Sequence, residues 1–78
     1  MNYYCIFRGD VSDFDNAIDF ISKTPICHGI ILKRNPQNIN FITYKSPSRA
    51  SVDQAAAACL MHGLTAVGGT PYVHSTPI

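Results

Sequence analysis

The stretch "CHGIILKRNPQNINFITYK", residues Cys27–Lys45, decides the fold. Two runs rich in β-branched and aromatic residues flank Asn35-Pro36-Gln37-Asn38. Proline at the second position of such a quartet pre-sets φ for a type I turn, so the segment reads as a β-hairpin. Centring the turn there pairs Arg34 with Ile39, Leu32 with Phe41 and Ile30 with Thr43. Side chains alternate across a strand, so Gly29, Ile31, Lys33, Asn40, Ile42 and Tyr44 share the opposite face. The Leu32–Phe41 face is the more apolar and is expected to meet helices. Ile31, Ile42 and Tyr44 are then expected to stay uncovered.

Upstream, Met1–Phe7 is rich in aromatic and β-branched residues on both alternating faces, the pattern of a central strand. Arg8-Gly9-Asp10 ends it in a turn. In "SDFDNAIDFISK", Phe14, Ala17, Ile18 and Ile21 fall on one helical stripe. Ser12 or Asp13 is the expected cap. Asp10, Asp13 and Asp15 crowd the positive end of the helix dipole, Lys23 lies near the negative end, and Pro25 stops the helix.

Downstream, Ser51-Val52-Asp53-Gln54 has the form of a capping box before a second helix. Val52, Ala55, Ala56, Cys59 and Gly63 trace the expected buried stripe, with Gly63 as the C-terminal cap. The small side chains of Ala55–Ala58 let that helix lie close to a sheet. In the tail, Thr65–Val67 and Tyr72–His74 are both candidates for a last strand, and Gly68-Gly69 marks a bulge or turn between them. The element order is β-α-β-β-α-β. It predicts an α+β, ferredoxin-like domain over residues 1–78: a four-stranded antiparallel sheet in the order 4-1-3-2, with two helices on one face.

Bulk composition is that of a folded domain: 46% hydrophobic, 14% charged, formal net charge +1. Disordered chains have the opposite balance. A dedicated nucleic-acid domain usually shows a strong basic excess, and the total here shows none. Three cysteines, Cys5, Cys27 and Cys59, with no C-x-x-C spacing, read as reduced and mostly buried thiols rather than a disulfide framework. The N-terminus enters a strand-like run without a basic segment or an apolar one, and no stretch approaches the length of a membrane span. The expected location is the cytoplasm.

Residues able to carry chemistry are scattered. Cys27 and His28 are adjacent, so in a strand they point to opposite faces. Cys59 and His62 lie three apart on a helix and, with His74, are the candidate ligands of a zinc site. Glutamate is absent, which thins the stock of general acids. Nucleophilic catalysis needs a nucleophile, a base within reach and an orienting group, and no local constellation supplies them. The chain is therefore expected not to be an enzyme and to need no cofactor.

The segment Gln37–Tyr44 resembles the third-strand signature of RNA-recognition motifs, K/R-G-F/Y-G/A-F-V-x-F/Y, at Phe41, Ile42 and Tyr44. Gln37, Asn38, Ile39 and Asn40 depart from it, so the phosphate-binding cation and the third-position aromatic are missing. In such motifs the fifth position faces solvent, whereas the hairpin pairing above puts Phe41 under the helices.

The first strand adds either Tyr4 and Ile6, or Tyr3, Cys5 and Phe7, to the uncovered face. With the first pair, the candidate binding face is Tyr4, Ile6, Ile31, Lys33, Asn40, Ile42 and Tyr44. An apolar, aromatic patch of that kind is expected to meet a partner. The leading expectation is a protein-interaction or inhibitor module, bound to another protein or to itself as a homodimer or higher oligomer. Small single domains without enzymatic motifs are common among phage-encoded inhibitors of host defence. The alternative is an RNA- or nucleotide-binding domain, using Tyr4, Tyr44 and the basic hairpin ends. A third is a small metal or cysteine-dependent enzyme around Cys27, Cys59, His62 and His74.

Overall fold

β1 (Asn2–Arg8) is the spine of the molecule and alternates over its second half: Cys5 and Phe7 are fully buried, while Tyr4 and Ile6 are partly exposed. The computed structural model describes residues 1–76; the last two residues of the expected domain, 77 and 78, lie outside the described residues. After β1 come α1 (Val11–Ser22), a 3-10 turn at Pro25–Cys27, β2 (Ile31–Arg34), β3 (Phe41–Ser46), α2 (Arg49–Met61), β4 (Thr65–Ala66) and β5 (His74–Thr76). The architecture is α+β: an open antiparallel sheet ordered β2-β3-β1-β4, with β5 also pairing β1, and two helices.

The core is one cluster between the sheet and the helices. Cys5, Phe7, Ile42 and Tyr44 come from the sheet, Phe14, Ala17 and Ile21 from α1, and Val52, Ala55, Ala56, Ala58 and Cys59 from α2. Burying each of the larger side chains stabilises the fold by about 1.5–3 kcal/mol. The stripe expected for α1 is the one it buries, with Ile18 partly covered.

The helix starts differ from expectation. Asp10, not Ser12 or Asp13, occupies the α1 cap, through its backbone carbonyl, which accepts from Asp13 and Phe14; its side chain makes no cap bond. In α2 the cap is Ser48, whose hydroxyl accepts from the Ser51 amide at 3.4 Å. Ser51 is instead buried and donates its hydroxyl to the Ile26 carbonyl, tying α2 to the 3-10 turn. Tertiary contact therefore extends the helix one turn beyond the local capping-box signal. At the other end Gly63, at φ +84°, follows the cap residue His62. The Leu64 amide reaches back to the Cys59 carbonyl and the Gly63 amide to Leu60, so both orphan carbonyls are satisfied.

The hairpin is the main correction. Its loop is six residues long, Asn35–Asn40, rather than a four-residue turn. The Asn35 side chain accepts from the amides of Gln37 and Asn38, and a second turn brings the Phe41 amide to the Asn38 carbonyl. The register then pairs Arg34 with Ile42, Leu32 with Tyr44 and Lys33 with Thr43. This differs from the expected pairing by an odd number of residues, and an odd slip turns every side chain of a strand to its other face. Ile42 and Tyr44, expected on the uncovered face, are both 0% exposed in the core. Phe41 and Thr43, expected under the helices, lie on the side away from them. Leu32 stays on the helix side, at its half-exposed margin. Cys27 and His28 are not in a strand: Cys27 closes the 3-10 turn and is buried, and His28 is exposed.

The expected fourth strand is divided, giving five strands rather than four. Both tail segments pair with the same edge of β1: β4 with Phe7 and Arg8, β5 with Asn2, Tyr3 and Tyr4. Val67 still donates to the Ile6 carbonyl, but Gly68 and Gly69, both at positive φ, then turn the chain out of the ladder. The excursion runs beside α2, where Pro71, Tyr72 and Val73 line a cleft with Ala56, Ala57 and Leu60.

Candidate functional site

With both helices on one side, the other side of the sheet is open, and the strand registers sort its residues into cross-strand rows. The first row is Phe41, Arg8 and Thr65. The second is Lys33, Thr43 and Ile6. The third is Ile31, Lys45, Tyr4 and His74. Each row carries one cation, and about 13 Å of strand separates the first row from the third at the usual rise per residue. Aromatic surface sits at both ends. Phe41 is partly exposed beside Arg8, and the Tyr4 and His74 rings lie 5.3 Å apart, inclined at 33°. Ile31 is 62% exposed on the outer strand.

The carboxylates are elsewhere. All five acids are aspartates, and all belong to the helices or the α1 cap: Asp10, Asp13, Asp15, Asp19 and Asp53. Three of the six cations pair with them. Lys23 meets Asp19 at 3.0 Å, Arg34 meets Asp15 at 2.9 Å, and Arg49 meets Asp53 at 3.8 Å. The other three, Arg8, Lys33 and Lys45, form no ion pair among the described residues, and they are the three on the open face. A net charge of +1 thus conceals a molecule polarised between an acidic helix layer and a basic sheet.

At the Arg8 end the face runs into a polar cleft of about 420 Å³, lined by Arg8, Gly9, Asp10, Asn38, Asn40, Phe41 and Thr65. Gly9 packs closely there: a β-carbon at this position would displace the tip of the Leu64 side chain, and the Gly9 amide donates to the Asn40 carbonyl at 3.0 Å. Those contacts hold the end of β1 against the hairpin loop and fix where Arg8 and Asp10 stand.

Of the seven residues expected to form the binding face, Tyr4, Ile6, Ile31 and Lys33 are on the open side. Asn40 lies in the hairpin loop and lines the cleft at its end. Ile42 and Tyr44 are core residues, so the face is less apolar than expected. Arg8, Phe41, Lys45 and His74 take their place. The i,i+4 pairings of Lys23 with Asp19 and Arg49 with Asp53 were a signal for the charge division, readable from spacing alone. Arg34 with Asp15 was not, because the two lie 19 residues apart and meet only in the tertiary structure.

Cys59, His62 and His74 do not converge. Cys59 is buried on the helix side, His74 stacks on the open side, and His62 sits at the α2 end with its ring 5.8 Å from Phe20. Among the described residues no group of three His, Cys, Asp or Glu side chains is placed to hold a metal. Cys5 and Cys59 are fully enclosed, and burial pushes both thiols up to about 12. Between them lies the Tyr44 hydroxyl, which has no hydrogen-bonding nitrogen or oxygen partner. Burial, and secondarily Cys59, raises its ionisation well above the ordinary tyrosine range. The cluster is neutral and inert at ordinary pH.

No helix among the described residues is long and apolar enough to cross a membrane. Protein-family models, curated proteins and solved structures yield no match to the chain.

Proposed function

We propose that the chain is a non-enzymatic binding module whose ligand is single-stranded nucleic acid, laid across the open face of a ferredoxin-like sheet with a divided fourth strand. The single observation that carries this reading is the charge division: among the described residues, the three lysines and arginines without an acidic partner all lie on the open face, whose strands carry no aspartate. Such a face attracts a polyanion. Aromatic rings at both ends supply stacking platforms, each worth about 1–3 kcal/mol per base. A duplex fits less well, because stacking needs unpaired bases and the cations of the two helices are already engaged by aspartates. The facing of Phe41 also removes one of the two objections to the RNA-recognition resemblance, whose fifth position meets solvent; the departures at Gln37, Asn38, Ile39 and Asn40 remain.

The test is fluorescence anisotropy with a labelled oligo(U) octamer over a range of salt concentrations. Three phosphate contacts give a slope of log K against log salt of about −2 on a single strand. Absence of binding at low salt, or binding indifferent to salt, overturns the reading.

A second reading, a protein partner or another copy of the chain, is favoured by β2. It is the outer strand of the sheet, all four of its residues are exposed, and Ile31 and Leu32 are among them. An unpaired strand edge is a template for a further strand. Sedimentation equilibrium of the protein alone separates the two: a dimer dispersed by Ile31→Lys supports this reading, and a monomer at all concentrations removes its self-associating form.

A further inference from the structure

Resting on the proposal of single-stranded nucleic acid, we infer that the cleft at the Arg8 end is a base-reading pocket selective for guanine. Its position makes it the end of the path across the sheet. Phe41, Arg8 and Thr65 are at once the last row of the open face and three of the residues lining the cleft. A volume of about 420 Å³ falls within the range of small-molecule sites.

The residue that distinguishes the cleft from the rest of the face is Asp10. Among the described residues it is the one aspartate lining the cleft at the end of the cationic face. It caps α1 only through its backbone, its side chain makes no cap bond, and it pairs with no cation among the described residues, Arg8 included. A carboxylate at the rim of a phosphate-binding surface repels the backbone of the ligand. It is compatible with binding where a base presents donors to it, since an ionised carboxyl group only accepts. Guanine alone offers two adjacent donors on its pairing edge, N1–H and the N2 amino group, which match the two oxygens of one carboxylate. Uracil offers one donor there, and adenine and cytosine one amino group each.

The rest of the cleft agrees with that choice. An arginine suits the O6 and N7 acceptors of guanine better than any other base edge, and Arg8 has no competing acid partner among the described residues. The Phe41 ring is the stacking surface. Asn38 and Asn40 are held by the loop, the Asn38 side chain accepting from the Asn40 amide at 3.1 Å, so this part of the cleft wall is preformed rather than assembled on binding.

The test uses oligo(U) octamers carrying one guanine, inosine, adenine or cytosine at each position in turn, measured by anisotropy against the intact protein. Guanine at one position is expected to tighten binding about tenfold over uracil, the scale of one good bidentate contact. Inosine, which lacks the N2 amino group, loses most of that gain. Asp10→Asn abolishes the guanine preference while oligo(U) binding persists; because the side chain caps nothing, the variant keeps its fold, checked by circular dichroism. Octamers that all bind equally, or a preference for adenine or cytosine, overturn the pocket and leave the wider reading standing. Failure of every octamer to bind overturns both.

Discussion

Tyr44 concentrates the residue-scale physics. Its ring fills the centre of the core, and its hydroxyl is enclosed beside the Cys5 and Cys59 thiols without a nitrogen or oxygen partner. A buried polar group left unpaired is a cost to the fold, so Tyr44→Phe is expected to keep stability within about 1 kcal/mol of the parent or to raise it, read from urea unfolding. Tyr44→Asp places an unpaired carboxylate in the same space and is expected to unfold the domain, with loss of the cooperative transition. The thiols make a separate prediction. Burial lifts Cys5 and Cys59 from 9.0 to about 12. Between those values the folded chain keeps protons that the unfolded chain has released, so stability is full below about pH 9 and falls as pH rises towards about 12. A thermal midpoint that stays constant over that window contradicts the placement of the two thiols.

At the scale of elements, the hairpin loop carries the most consequence for its size. Asn35 and Asn38 use their side chains to hold the amides of Gln37, Asn38 and Asn40, which makes a six-residue connection as well defined as a tight turn. The loop sets the parity of β3, and parity decides whether Ile42 and Tyr44 or Phe41 and Thr43 meet the helices. Deleting Gln37 alone shortens the loop by one residue and opposes the two parities. The cooperative melt seen by circular dichroism is expected to disappear, because either the β2–β3 pairing or the core must be given up. A deletion variant that melts as sharply as the parent shows that the loop does not set the register. The divided last strand has a similar logic. Gly68 and Gly69 at positive φ release the chain from β1, and His74 returns it, which brings an imidazole against Tyr4 on the open face.

For the whole molecule, the governing feature is the separation of charge. Paired cations on the helix layer are worth little, since exposed ion pairs contribute about 0–1 kcal/mol. Their effect is to offset part of the negative charge of that side and leave Arg8, Lys33 and Lys45 as the basic surface. Replacing any one of these three by alanine is expected to weaken oligo(U) binding and reduce the magnitude of the salt slope by roughly one phosphate's share, about 0.7, with the fold unchanged. Replacing Lys23 or Arg49 is expected to leave the slope where it was. The same anisotropy titration measures both, and equal effects from the two sets show that binding does not use the sheet.

The sequence by itself determined the α+β class, the approximate places of the two helices and of the first three strands, and the apolar stripes of α1 and α2, because these depend on periodicity and on local breakers such as Pro25 and Gly63; it left open which face of β1 is buried and which tail segment pairs with it. It also carried two of the three helix-layer ion pairs, whose partners are four residues apart. Tertiary structure alone decided the facing of β3. Pro36 specifies a bend but not how many residues the connection consumes, and the count was set by side-chain hydrogen bonds from Asn35 and Asn38 together with the fit of Ile42 and Tyr44 against the helices. It decided too that Arg34 meets Asp15 across two elements and that Lys45 shares a row with Tyr4 and His74. The candidate site is the sum of those long-range placements, so the chain could be read for its shape and not for the surface it presents.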